Sequence, residues 1–116
     1  MRPTDHKEIG NDGEQKAAAY LRDKGYEIVT NNYRYKRGEI DLIAKKGDLM
    51  AFVEVKTRNN LDFGNPESFV SRRQQELILE TANDYLMGVD WEGPIRFDII
   101  AIVPGTEIKH FEDAFY

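Results

Sequence analysis

The sequence predicts a small α/β domain, a mixed sheet with helices packed on its faces. Three observations lead there. A segment near the N-terminus carries apolar residues at helical spacing, and three strand-like runs follow it, two of them joined by Lys45-Lys46-Gly47-Asp48. A second helical pattern then precedes Arg96-Phe97-Asp98-Ile99-Ile100-Ala101-Ile102-Val103, a run apolar enough to lie inside a sheet. The order is helix, three strands, helix, strand.

Each element has a local cause. Residues 8–24 read as the first helix: Gly10, Gly13, Ala17 and Leu21 fall on one stripe, and Gly25 ends it. Two glycines on that stripe weaken the helix by about 1 kcal/mol each relative to alanine, and they suit a helix that another backbone must approach. Residues 26–30 begin a strand that extends to Tyr33. Residues 39–44 and 49–57 form two more, with Gly47-Asp48 as the tight turn of a hairpin. Residues 59–66, with Asn59-Asn60, Gly64 and Pro66, are a loop. The second helix starts at Pro66 or Ser71, the serine serving as a cap, and runs to Met87. Leu77, Ile78, Ala82, Tyr85 and Leu86 form its buried side, and Gly88 ends it. Residues 91–94 connect to the strand 96–103, and the tail from 106 to 116 supplies a short edge strand. No repeat, linker or low-complexity tract divides the chain, so residues 1–116 read as one domain.

Composition narrows the function. The chain has no cysteine, which removes disulfides, thiolate nucleophiles and cysteine-bound zinc. No apolar run approaches the roughly 20 residues of a membrane helix. The polar N-terminus has no signal-peptide core, so no membrane association and a cytoplasmic location are expected. Net charge is -5, but it is unevenly spread. Residues 1–79 hold 14 Lys/Arg against 13 Asp/Glu, whereas residues 80–116 hold 2 against 8. The acidic balance therefore counts against tight nonspecific binding to nucleic acid and not against a local basic groove. The bases cluster as Arg34-Tyr35-Lys36-Arg37, Lys45-Lys46, Lys56-Thr57-Arg58 and Arg72-Arg73. Each cluster alone also suits a solvated surface.

Phe52-Val53-Glu54-Val55-Lys56-Thr57-Arg58 carries the chemistry. Strand side chains alternate faces, so Glu54 and Lys56 point one way while Val53, Val55 and Thr57 point the other. If the two-residue turn holds, Lys46 pairs with Leu49, and counting back along both strands sets Asp41 opposite Glu54. Opposed Cβ atoms lie about 4.5–5.5 Å apart. Two carboxylates at that separation repel unless a proton or a cation sits between them. Oxygen-only ligands favour Mg2+ or Mn2+. Lys56 would stand beside that ion, able to hold a phosphate oxygen or offset charge building on phosphorus. The plain alternative is a surface salt bridge between Glu54 and Lys56.

These residues resemble the Asp…Glu-x-Lys signature of the restriction-endonuclease-like nucleases. The words around them are more specific: Gly10-x-x-Gly13-Glu14, Asn32-Tyr33-Arg34, Gly38-Glu39-Ile40-Asp41-Leu42-Ile43, Phe63-Gly64 and Arg96-Phe97-Asp98. Together with Phe52 to Arg58 they are similar to the bacterial YraN-type family, largely uncharacterised relatives of archaeal Holliday-junction resolvases. The resemblance covers nearly the whole chain. It implies a restriction-endonuclease-like core, a mixed central sheet flanked by helices, and a Mg-dependent endodeoxyribonuclease acting on DNA, including branched or junction DNA. Asp41 and Glu54 would be metal ligands, the Val55 carbonyl a third, Lys56 the catalytic lysine, and Glu14 the helix acid that completes the site. Without the resemblance, Glu14 reads as an acid favoured by the helix macrodipole. Glu39 shares a face with Asp41 and reads as an exposed strand-start charge, with an extra ligand as the alternative. Arg34, Lys36, Arg37, Arg58, Arg72 and Arg73 are the candidates for phosphate contacts. Resolvase relatives act as dimers, so the resemblance also implies a homodimer. A rival of a different class is a noncatalytic nucleic-acid or protein-binding module that keeps the fold and its acids. His6 and His110 sit in no ligand or catalytic pattern and read as surface residues.

Overall fold

The computed structural model describes residues 12–58, 69–103, 105 and 107–116. The predicted start of the first helix with Gly10, His6, and the loop at 59–66 with Phe63-Gly64 lie outside them. The described residues form α1 (Asp12–Asp23), β1 (Glu27–Tyr35), β2 (Gly38–Lys46), β3 (Leu49–Thr57), α2 (Arg72–Val89), β4 (Ile95–Ile102) and β5 (Ile108–Phe111). The strands make one five-stranded sheet in the order β1-β2-β3-β4-β5. β3 and β4 run parallel and every other pair is antiparallel. Parallel neighbours need a crossover, which contains α2. This is the mixed α/β architecture expected from the element order, and it is compatible with a restriction-endonuclease-like core. No helix among the described residues is long and apolar enough to cross a membrane.

Alternation along the strands sends apolar side chains to two cores. Leu42, Ala44, Ala51, Val53, Ile100 and Ile102 pack with Ala17, Ala18 and Leu21 of α1. Ile43, Phe52, Phe97 and Ile99 pack on the opposite face with Ile78 and Ala82 of α2. Asp41, Glu54 and Lys56 therefore lie in the strands of a sheet covered on both sides, and Glu14 lies on α1.

The boundaries hold a few corrections. β1 runs two residues beyond Tyr33, and the tail does supply the edge strand β5. Ser71 caps α2 by accepting a hydrogen bond from Gln74 N at 3.1 Å. Gly88 does not end that helix. The chain turns at Asp90, whose left-handed φ of 55° lets its N–H reach the carbonyls of Leu86 and Met87. Aspartate tolerates that conformation better than most residues. Leu77, expected in the core, is half-buried and lines a cleft between α2 and the strands β2 and β3.

His110 is also not a surface residue. β5 pairs Ile100 with His110, and the imidazole, 4% exposed, lies 2.8 Å from Asp98 Oδ2. Arg96 grips the same fully buried carboxylate with Nε at 2.8 Å and Nη2 at 2.7 Å, and Nη2 also reaches the Tyr26 hydroxyl at 2.6 Å. Burial would raise the Asp98 carboxyl, but the bonds from His110, Arg96 and the Asp113 amide hold it below its ordinary value. The network fastens β5 and the C-terminal turn to the α1 face of the sheet.

Gly38 sets how closely α2 approaches β2. A Cβ there would stand 2.0 Å from Thr81 Oγ1 and 2.7 Å from the Leu77 carbonyl oxygen, so helix backbone would have to move. Gly38→Ala is expected to destabilise the fold by about 1–3 kcal/mol in urea unfolding, the usual cost of overpacking. A loss below about 0.5 kcal/mol, the range of neutral surface changes, would contradict this packing.

Candidate active site

The cleft forms where β2 and β3 part. The hairpin register is the one predicted: Lys46 pairs with Leu49, and pairing continues regularly to Leu42 with Val53. Gly47 supplies the left-handed φ of 60° that the turn needs. One residue further, the main-chain ladder stops. Asp41 Oδ2 instead accepts a hydrogen bond from Val55 N at 2.8 Å, and the Glu54 carboxyl is in turn bonded by the Asp41 backbone. The alternation of β2 breaks at the same place. Ile40 and Ile43 both join the core under α2, while Leu42 between them joins the core under α1. Asp41 thus sits at an irregularity that turns a sheet position into the floor of a cleft.

That cleft has a volume of about 330 Å³. α1 contributes Glu14, β2 and the turn before it contribute Arg37, Gly38, Glu39 and Asp41, and β3 contributes Glu54, Val55 and Lys56. Gln74, Leu77 and Ile78 of α2 close the other side. The structure therefore brings together Asp41, Glu54, Lys56 and Glu14, which sequence reasoning had proposed from three separate segments.

Electrostatics in the cleft are out of balance. Glu54 is 4% exposed, and its Oε2 has no hydrogen-bond partner among the described residues. Burial and the neighbouring Asp41 push its carboxyl well above the ordinary value, against the opposing pull of Lys56. Asp41 is pushed up to about 6, first by burial, then by Glu14 and Glu39, and is eased by the Val55 amide and Lys56. Lys56 makes no ion pair within 4.0 Å among the described residues, so the surface salt bridge with Glu54 is not formed. An orphaned buried carboxylate oxygen beside further acids is the environment that a hard divalent cation relieves. No three His, Cys, Asp or Glu side chains among the described residues stand as a ready-made metal cage. The donors thus fit a cation by chemistry, through Asp41, Glu54 and Glu14, and not as a closed coordination shell.

The outer acids are held by a residue the sequence reading left out. Asn32 Nδ2 donates to Glu14 Oε2 at 3.3 Å and to Glu39 Oε2 at 3.1 Å. Its signal was present, since Asn32 lies in the Asn32-Tyr33-Arg34 word, but the role depends on a left-handed φ of 50° that no spacing reveals. Gln74, which lines the cleft from α2, was also not anticipated. Glu39, read as an exposed charge, is half-buried at the cleft.

Of the basic candidates, Arg37 lines the cleft. Arg34 points outward, its side chain 76% exposed and 3.6 Å from Glu39. Lys36 lies over the Tyr35 ring and Arg58 over the Phe69 ring, 5.2 and 4.6 Å from the centroids. Arg72 and Arg73 are exposed in the first turn of α2, Arg73 at 3.6 Å from Glu76.

Comparison with known proteins adds a family. The model of a family described as "Uncharacterised protein family UPF0102" matches residues 13–102, a span that contains every residue lining the cleft. A UPF0102 protein of Christiangramia forsetii is 44% identical over 115 residues, covering 97% of each chain. One of Flavobacterium psychrophilum is 41% identical over 115 residues with the same 97% coverage of each. One of Cytophaga hutchinsonii is 47% identical over 104 residues, covering 90% of this chain and 91% of its own.

The buried acids make a pH prediction. A carboxyl whose folded pKa is raised binds its proton more tightly in the native state, so stability falls as pH rises from the unfolded value through the folded one. Measured without divalent cations, the protein should lose stability between about pH 4, the unfolded carboxyl value, and the Asp41 value of about 6. Asp41→Asn and Glu54→Gln should each flatten that loss and raise the thermal midpoint at pH 8. Midpoints that fall in both variants at pH 8 would contradict the electrostatic account.

Proposed function

The chain belongs to UPF0102, a family described as uncharacterised, and we propose that its cleft is the active site of a metal-dependent endonuclease acting on DNA in the cytoplasm. One observation carries the proposal: Glu54 is buried with an unpartnered carboxylate oxygen, beside Asp41 and facing the same cleft as Lys56 and Glu14. A fold without chemistry to perform gains nothing from burying two acids whose ionisation it resists. A bound Mg2+ or Mn2+, held by Asp41, Glu54 and Glu14 with the Val55 carbonyl as a further oxygen, would supply a Lewis acid and a more acidic water.

The chain's own residues have distinct tasks. Lys56 carries its ammonium into the cleft, where it holds a phosphate oxygen and offsets the charge that grows as water adds to phosphorus. Arg37 and Gln74 offer N–H donors at the walls for the phosphate and sugar on either side of the scissile bond. Arg58, Arg72, Arg73, Arg34 and Lys36 are the candidates for phosphate contacts beyond the cleft, with Arg72 and Arg73 exposed in the first turn of α2. Hydrolysis forms a bond from the water oxygen to phosphorus and breaks the P–O bond to one sugar oxygen, which leaves with a proton that balances the one the water gives up. Branched or junction DNA, and a homodimer presenting two such clefts, are the forms of this reading that the resemblance to resolvases supports.

A second reading has its own support. The rival is a noncatalytic nucleic-acid or protein-binding module, and the net charge of -5 favours its protein-binding form. Cleavage assays separate the two. With Mg2+ or Mn2+, the protein should cut at least one of single-stranded, duplex, flap and four-way-junction DNA. Glu54→Gln and Lys56→Ala should each slow that cutting by about 100-fold or more, the scale of losing a preorganised charge at the reacting group. Equal cutting by wild type and both variants, or none by any, would sink the enzymatic reading.

A further inference from the structure

Asn32 stands on β1 beside the point where the β2–β3 ladder ends. In the β1–β2 register, Asn31 pairs with Leu42 and Tyr33 with Ile40, which leaves Asn32 and Asp41 opposite each other outside the ladder. On the far side of Asp41, the β2–β3 ladder has also ended, at Leu42 with Val53. Asn32 thus lies beside Asp41, whose side chain reaches across to Val55 N of β3. Within β1, Asn32 has a left-handed φ of 50°, a conformation asparagine tolerates better than most residues.

The donors of the amide are used to capacity. Its two N–H hydrogens serve two carboxylates, Glu14 Oε2 at 3.3 Å and Glu39 Oε2 at 3.1 Å, which come from α1 and β2. Its oxygen accepts from Asn31 Nδ2 at 3.0 Å, and this fixes which end of the amide faces the acids. A flipped amide would set its oxygen against two carboxylates. An uncharged donor bridging two acids can orient them without neutralising them, which a lysine or arginine at the same place could not do.

We propose that Asn32 is a positioning residue of the cleft, one whose side-chain amide clamps Glu14 and Glu39 beside Asp41 so that a divalent cation meets carboxylates already gathered. The inference rests on the metal-dependent reading of the cleft. It gives the β1 strand a part in the site although β1 supplies no ligand, and it ties the first helix to the β2–β3 fork.

The test is Mn2+ binding, followed by water-proton relaxation, in wild type and Asn32→Gly. Glycine keeps the left-handed backbone and removes the amide alone. The variant should bind Mn2+ about tenfold more weakly, the usual effect of losing a group that orients metal ligands. Its cation-free thermal midpoint should stay within about 2 °C of wild type, because the backbone conformation suits glycine. Equal Mn2+ affinity in the two proteins overturns the role of Asn32 and leaves the metal-dependent reading standing. No Mn2+ binding by wild type overturns that reading and the inference with it. A variant that melts lower without cation yet binds Mn2+ as tightly marks Asn32 as purely structural and overturns the inference. Should Asn32→Gly fail to fold, wild-type NMR decides: a Mg2+-induced shift of the Asn32 side-chain NH2 signals supports the clamp, and unmoved signals overturn it.

Discussion

The hydrogen bond from Val55 N to Asp41 Oδ2 organises the rest of this molecule. In an unbroken antiparallel pair that N–H would serve a main-chain carbonyl of β2. Here a carboxylate takes it, so the two strands separate without leaving a buried donor unsatisfied. The cleft depends on that exchange. It fixes the Asp41 side chain against β3, sets Glu54 and Lys56 on the wall of a cleft, and opens the space into which Glu14 and Gln74 reach from the two helices.

Holding such a site costs stability, and the surrounding fold offsets it. Burial raises both Asp41 and Glu54, so at neutral pH each opposes folding unless a cation or substrate compensates. Two apolar clusters, one under each helix, supply the opposing term. Polar fastenings sharpen the arrangement. The Tyr33 hydroxyl bonds Asp84 Oδ2 at 2.5 Å and ties β1 to α2, while Arg96, Asp98 and His110 tie β5 to β4. A locally unfavourable site inside a well-supported frame is the usual signature of a site kept for chemistry.

Much of this could be read from residues alone, for definite reasons. Gly47-Asp48 fixes a two-residue turn, so the β2–β3 register followed from counting, and with it the neighbourhood of Asp41 and Glu54. The alternation of Val53, Glu54, Val55 and Lys56 fixed which side chains share a face. Contacts between distant segments were less legible. His110 meets Asp98 only because β5 folds back along β4, and nothing near His110 in the chain announces it. Asn32 was hidden because its role needs a left-handed backbone inside a strand, which periodicity cannot signal. Gly88 looked like a helix terminator by type, yet the capping bonds fall at Asp90. The basic residues show the same limit: their number is a property of composition, but their placement belongs to the fold, which sets Arg37 at the rim of the cleft and Arg34 beside Glu39.

The central claim is that the acids at the β2–β3 fork exist to hold a divalent cation. Anomalous diffraction from crystals grown with Mn2+ addresses it without reliance on any activity. The account predicts a Mn2+ peak in contact with the carboxylates of both Asp41 and Glu54. Crystals saturated with Mn2+ that show no peak in the cleft, or show it only elsewhere on the surface, would contradict the account.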